Sequence, residues 1–169
     1  SQKILMFYGR QIGQKPYDII DKKVQASLFK NIYKHVTKKF ATEGDIKNIE
    51  TGINYVKNMR LSDEQISKLK TDVDGFPDIY NLYQSELRKM KLMDYDDQMV
   101  YALMILQKYP EVLQYFRNLY KYICVDEAQD TSKIQHDLIE LLAGENGNLF
   151  MVGDEDQSIF GFRAAYPEA

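Results

Sequence analysis

Tyr122-Ile123-Cys124-Val125-Asp126-Glu127-Ala128-Gln129-Asp130 is the stretch whose reading decides the fold. Its first four residues form a short apolar, β-rich run of the kind buried in a parallel sheet. Three acids within the next five residues make a poor turn for stability, because like charges repel and lose hydration. They make sense if a cation sits beside them. Ser132-Lys133-Ile134-Gln135 follows as a capping box, with Ser132 as N-cap and Gln135 reaching back. The helix it opens runs through Leu141 and ends at the Ala143-Gly144 pair. Asn148-Leu149-Phe150-Met151-Val152 reads as a second strand, stopped by Gly153-Asp154. Strand, helix and strand over about 30 residues make a βαβ unit, with parallel strands and a right-handed crossover. The expected class is therefore α/β, mostly helical, with a partial parallel sheet.

That geometry has a chemical consequence. Parallel strands end at one edge of the sheet, so Asp126-Glu127 and the segment Gly153 to Gln157 converge there. Ligands of open α/β sheets bind beyond those strand ends. An Asp at the end of a buried strand is the Walker-B arrangement, which helps hold Mg²⁺ beside the β- and γ-phosphates of a nucleotide. Glu127, pointing differently from Asp126, can act as general base toward an attacking water. Gln157 could orient that water or touch the γ-phosphate. On these residues alone, a hydrated acidic turn before a capped helix remains an alternative.

The residues beyond the second strand narrow the choice. Gly153-Asp154-Glu155-Asp156-Gln157-Ser158-Ile159-Phe160-Gly161-Phe162-Arg163-Ala164-Ala165 resembles motif III of the UvrD/Rep/PcrA-type superfamily 1 DNA helicases. Val125 to Asp130 resembles their motif II, and Asp94-Tyr95-Asp96-Asp97 is similar to the short acidic motif that precedes it. The three occur in the family's order. The resemblance implies that Asp126 ligates Mg²⁺, that Glu127 activates water, and that Gln157 senses the γ-phosphate and couples it to the DNA site. Phe162 aligns with an aromatic that stacks on a base of single-stranded DNA, and Phe160 with a neighbouring aromatic near the strand. Core packing is the competing role for both rings. Base stacking tolerates any sequence and is worth roughly 1–3 kcal/mol per base. Arg163 either bridges the nucleotide and DNA sites or pairs with a motif II acid. Gly161 stands where the family commonly has a larger, often basic residue, Ala164 where it has Gly, and Phe162 where it has Trp. These departures touch the detail of the DNA contact and leave the ATP chemistry alone.

No Gly-x-x-x-x-Gly-Lys-[Ser/Thr] loop occurs in the sequence, and that loop is what cradles the phosphates of a nucleotide. Gly9-Arg10-Gln11-Ile12-Gly13-Gln14-Lys15 lacks both the spacing and the terminal hydroxyl. The resemblance then implies an internal piece of a larger 3′-to-5′ helicase, inactive alone, with Mg²⁺ and ATP as the complete protein's cofactor and fuel. Residues 1–92 would be the helical insertion called subdomain 1B, lying over DNA. Residues 93–169 would be the later part of the first RecA-like domain, of P-loop NTPase type. Its partners would be single-stranded or duplex DNA and the remaining helicase domains, and its incomplete sheet would favour self-association or disorder after Val152. A free-standing DNA- or protein-binding module carrying a relic ATPase site is the alternative, and a helicase–nuclease relative a narrower one.

Helical spacing dominates upstream. At about 100° per residue, Val24, Leu28, Phe29, Ile32, Tyr33, Val36 and Phe40 fall on one half-turn of a helix spanning 17–40. Lys23, Lys30, Lys34 and Lys38 line the opposite side, a stripe that either tracks a phosphate backbone or is a solvated face. Ser62-Asp63-Glu64-Gln65 is a second capping box. Asp74-Gly75-Phe76-Pro77 is a turn, before a helix carrying Ile79, Leu82, Tyr83, Leu87 and Met90. A further helix with Met99, Leu103 and Leu106 inward stops at Tyr109-Pro110. His35 and His136 belong to no ligand pattern.

Composition fits this division. The 169 residues are 44% hydrophobic and 28% charged, the balance of a globular chain. Residues 1–95 carry 17 Lys and Arg against 12 Asp and Glu, whereas residues 96–169 carry 5 against 13. A basic half suits nucleic acid and an acidic half suits a divalent cation. The run Ala102 to Leu106 is far short of the roughly 20 apolar residues that span a bilayer, and no secretory leader is read at the start. The single cysteine, Cys124, can form no internal disulfide. The expected compartment is cytoplasmic, with no membrane partner.

Overall fold

The computed structural model describes residues 1–145 and 147–154. The described residues form two compact units. One gathers Ser1–Pro16, Asn58–Arg60 and the chain from Asp96 onward; the other holds Tyr17–Lys57 and Leu61–Tyr95. This division differs from the single cut expected at residue 92. Helix α1 (Gln2–Gln11) is the reason: Ile4 joins the apolar cluster of Leu103, Leu106, Val112, Phe116 and Ile134. The Phe7 ring also stacks on Tyr115 with centroids 4.1 Å apart.

The second unit, Tyr17–Lys57 with Leu61–Tyr95, is helical. Its helices are α2 (Lys22–Thr37), α3 (Glu43–Asn58), α4 (Asp63–Lys68) and α5 (Phe76–Met90). Two short strands, β1 (Asp18–Ile19) and β2 (Leu92–Met93), pair in parallel, tying together the two ends of the chain in this unit. Phe29, Ile32, Tyr33, Ile49, Ile53, Phe76, Ile79, Tyr83 and Leu87 make its core.

Helix α2 is shorter than its periodicity predicts. Asp21 caps it, accepting the Lys23 N–H at 2.8 Å, and Lys38 ends it in the left-handed region at φ 61°. Val24 therefore sits in an open first turn, 47% exposed, and Phe40 lies past the helix end, 80% exposed. Both are corrections to the predicted buried face. In α5, Ile79, Tyr83 and Leu87 are buried as predicted, whereas Met90, in the last turn, is exposed. Gly52 of α3 meets Phe76 so closely that a Cβ there would lie 2.5 Å from Phe76 Cε2. The Ser62 box forms in full, with Ser62 N–H donating to Gln65 Oε1 at 2.8 Å and Gln65 N–H to Ser62 Oγ at 3.3 Å.

The other unit carries α6 (Tyr95–Lys108), α7 (Pro110–Leu119), β3 (Tyr122–Val125), a 3₁₀ turn (Ala128–Asp130), α8 (Lys133–Ala143) and β4 (Asn148–Met151). Strands β3 and β4 pair in parallel, Tyr122 with Asn148 through Val125 with Met151. The predicted βαβ unit is present, and the chain is mostly helical with small parallel sheets. Strand β3 is not buried, contrary to expectation. Tyr122 is 77% exposed and Cys124 is exposed, because among the described residues the sheet has only these two strands. Leu149, Phe150, Met151 and Val152 are exposed as well. Among the described residues no helix is long and apolar enough to cross a membrane.

Candidate functional site

The parallel register carries the chain past both strands without a break. Val152 N–H donates to Val125 O at 2.8 Å, and Ala128 N–H to Val152 O at 2.9 Å. These bonds place Asp126-Glu127 beside Gly153-Asp154 at the C-terminal edge of the sheet, where the sequence pattern put them.

Asp126 and Glu127 are both exposed at that edge. Asp126 Oδ1 accepts the Glu127 N–H at 2.9 Å. Glu127 has φ 51° and ψ 48°, a left-handed conformation that costs a non-glycine residue on the order of 1–2 kcal/mol. Such strain concentrates where function requires a direction of the side chain. Here it turns Glu127 away from the strand and lets the 3₁₀ turn begin, with Asp130 N–H returning to Glu127 O at 2.9 Å.

Gln129 joins the two segments. Its amide Nε2 donates to Glu127 Oε2 at 2.6 Å, and its Oε1 accepts the Asp154 N–H at 2.9 Å. A carboxylate only accepts and a backbone N–H only donates, so the two partners define which way the amide faces. Gly153 makes room for it: a Cβ there would lie 2.6 Å from Gln129 Oε1 and 3.2 Å from Ala128 Cβ.

The turn is anchored from α8. Thr131 Oγ1 donates to Ala128 O at 2.6 Å and lies 2.5 Å from His136 Nε2. Since the hydroxyl proton is committed to Ala128, the His136 ring is the donor through Nε2–H. Burial holds the His136 pKa below its ordinary value; Lys133 acts in the same direction and Asp137 against it. Burial pushes the Asp137 carboxyl up, but hydrogen bonds from Arg60 and Lys133 outweigh it and leave the pKa lowered. Ser132 is buried, and its N–H donates to Gln135 Oε1 at 2.8 Å, the expected capping contact.

Of the residues picked out from the sequence, Asp126 and Glu127 stand together at the strand edge. Gln157, Phe160, Phe162 and Arg163 lie outside the described residues. Lys23, Lys30, Lys34 and Lys38 are exposed and belong to the other unit. Lys34 Nζ sits 4.6 Å from the centroid of the Phe40 ring. Lys38 departs from the stripe, folding back to donate to His35 O at 2.8 Å.

Sequence reasoning missed two groups of residues. One is Gln129, whose bond to the Asp154 N–H spans 25 positions and leaves no local sequence signal. The other is a buried polar network. Lys57 Nζ lies 2.5 Å from Asp94 Oδ2, which also accepts the Tyr83 hydroxyl at 3.1 Å. Gln25 Nε2 donates to that hydroxyl at 2.8 Å. Asp94 of the acidic motif is thus an architectural residue.

All 169 residues match the model of the UvrD/REP helicase N-terminal domain. The chain belongs to the UvrD/REP helicase family. It is 35% identical over 184 aligned residues to the ATP-dependent DNA helicase PcrA of Staphylococcus aureus, covering 99% of this chain and 25% of that protein. Identity to the ATP-dependent DNA helicase PcrA of Staphylococcus epidermidis is 33% over 186 residues, with the same coverage. The chain therefore spans about a quarter of the length of these relatives.

Proposed function

We propose that this chain is part of an ATP-dependent 3′-to-5′ DNA helicase, in which hydrolysis of Mg-ATP drives movement along single-stranded DNA and separation of the duplex. The observation that carries the reading is the Asp126-Glu127 pair at the C-terminal edge of a parallel sheet, with Glu127 in the left-handed region. Family membership supports it.

The donor chemistry suits Mg²⁺. Among the described residues no three His, Cys, Asp or Glu side chains gather into a metal-binding group. A magnesium nucleotide would need no such cage, since Mg²⁺ keeps several waters and takes only one or two carboxylates besides the phosphates. Asp126 would supply the carboxylate, and the ion would neutralise charge developing on the phosphates. Glu127 would take the proton of the attacking water. Its Oε2 is held by Gln129, so Oε1 is the oxygen assigned to that proton. Gln157 would sense the γ-phosphate, Arg163 would reach the nucleotide, and Phe162 and Phe160 would meet the bases of the single strand. Lys23, Lys30 and Lys34 would face the DNA backbone. The exposed apolar residues of β4 support a further reading, that other strands and domains of the same protein cover them and supply the phosphate loop.

The test is DNA-stimulated ATP hydrolysis by the full-length protein, wild type against Glu127→Gln. The variant should lose roughly 10²–10⁴ in turnover, the size of a general-base contribution, while still binding nucleotide. An unchanged rate removes Glu127 from this role.

A further inference from the structure

Three features of the Gln129 environment point one way. Gln129 lies two residues beyond Glu127, is half-buried, and uses both ends of its amide, on Glu127 Oε2 at 2.6 Å and on the Asp154 N–H at 2.9 Å. Glu127 is held at positive φ, so its carboxylate has been turned out of the direction a strand would give it and needs a partner to fix its rotamer. Gly153 leaves space that any side chain would take from the Gln129 amide. A glutamine whose task was only to solvate the turn would have no reason to be wedged against a residue 25 positions downstream.

We infer that Gln129 is a positioning residue for the hydrolytic step: its amide clamps the Glu127 carboxylate to the backbone at Asp154, so that the base and the segment leaving β4 move as one. The inference rests on the reading of Glu127 as the base. Gln129 itself touches no reacting atom. Its N–H bond to the carboxylate holds one oxygen and leaves the other directed at water, while the Asp154 bond ties that orientation to the chain that follows. A shift of the Asp154 backbone is therefore transmitted to Glu127 through one rigid amide plane, across two hydrogen bonds.

The two halves of the clamp can be separated. Gln129→Glu keeps an acceptor for the Asp154 N–H but replaces the donor with a carboxylate that repels Glu127. Gln129→Ala removes both. In the full-length protein, steady-state ATP hydrolysis with single-stranded DNA should show kcat reduced roughly tenfold or more in both variants, the scale of a lost charge-assisted hydrogen bond, with KM for ATP unchanged. Amide hydrogen exchange at Asp154 should accelerate in Gln129→Ala and stay at the wild-type rate in Gln129→Glu. Adding Gln129→Ala to Glu127→Gln should cost no further turnover, because the group it positions is already gone. Wild-type kcat in Gln129→Glu with unchanged exchange would overturn the inference and leave Gln129 a structural anchor of Asp154 alone. A further tenfold loss in the Glu127→Gln background would overturn it as well. If Glu127→Gln itself hydrolyses ATP at the wild-type rate, the reading of the base fails and the clamp with it. If that variant is inactive and Gln129→Ala is not, only the clamp fails.

Discussion

Asp94→Asn is the substitution whose consequence follows most directly from the packing. The Lys57 and Asp94 side chains are 2% and 9% exposed, with Nζ and Oδ2 2.5 Å apart. Asparagine keeps the shape and still offers an oxygen to the Tyr83 hydroxyl, now at 3.1 Å from Asp94. It removes the charge that balances the Lys57 ammonium, which also lies 5.4 Å from the centroid of the Tyr83 ring. Removing one member of a buried pair costs about 3–5 kcal/mol, against a typical total of about 5–15 kcal/mol. With a urea slope of roughly 2 kcal/mol per molar, the helical unit should unfold at about 2 M less urea. The chain has no Trp, so circular dichroism at the helical band is the appropriate signal. Combining Lys57→Met with Asp94→Asn removes the stranded charge and should restore most of the loss. A shift below about 0.5 M for Asp94→Asn, or a double variant as unstable as the two singles added, would show that the pair is solvated and refute this reasoning.

Other consequences are open to equally direct checks. Because burial lowers the His136 pKa in the folded protein, the imidazolium favours the unfolded chain. Its penalty is absent above the unfolded value near ~6.5 and grows as pH falls below it. Unfolding free energy measured from pH 7 to 5 should therefore decline less steeply in His136→Gln than in wild type; identical slopes would contradict the assignment. Gly52→Ala would drive a methyl group into Phe76, an overpacking cost of about 1–3 kcal/mol that the ~1 kcal/mol helix gain of alanine only partly offsets. A raised melting temperature would count against that contact. Lys30→Ala and Lys34→Ala should each weaken single-strand binding and flatten its dependence on log salt by about 0.7; unchanged slopes would make the stripe a solvated face. Phe162→Ala should weaken single-strand binding by roughly 1–3 kcal/mol with basal ATP hydrolysis retained, whereas equal loss of both would place the ring in the core.

Much of the site was legible because its signals are local. A β-rich run ending in Asp126-Glu127, a capping box at Ser132 and a stop at Gly144 determine strand, helix and strand with no tertiary knowledge, and parallel pairing then brings Gly153 to Asp126. The partition of the chain was not legible, since it depends on partners far apart in sequence. Ile4 is buried by α6 and α7 residues a hundred positions away, and two-residue strands such as Asp18–Ile19 are too short to show alternation. Helix α2 is about one turn shorter at each end than the periodicity over 17–40 predicts, for a different reason. Periodicity reports a face, but Asp21 and Lys38 decide where the helix stops. Asp94 shows the limit of motif reading: acids follow it at Asp96 and Asp97 in sequence, while in space it meets Lys57 and Tyr83. Gln129 shows the same limit at the site itself, for nothing in the spacing reveals that its amide reaches Asp154.

The central claim is that the strand-edge carboxylates power a motor on DNA, and strand separation tests it most directly. The full-length protein should unwind a duplex bearing a 3′ single-stranded tail when supplied with Mg-ATP, and Glu127→Gln should abolish unwinding while still binding the tailed DNA. Unwinding that survives Glu127→Gln, or wild-type protein that binds the tailed duplex and never separates it, would contradict the account.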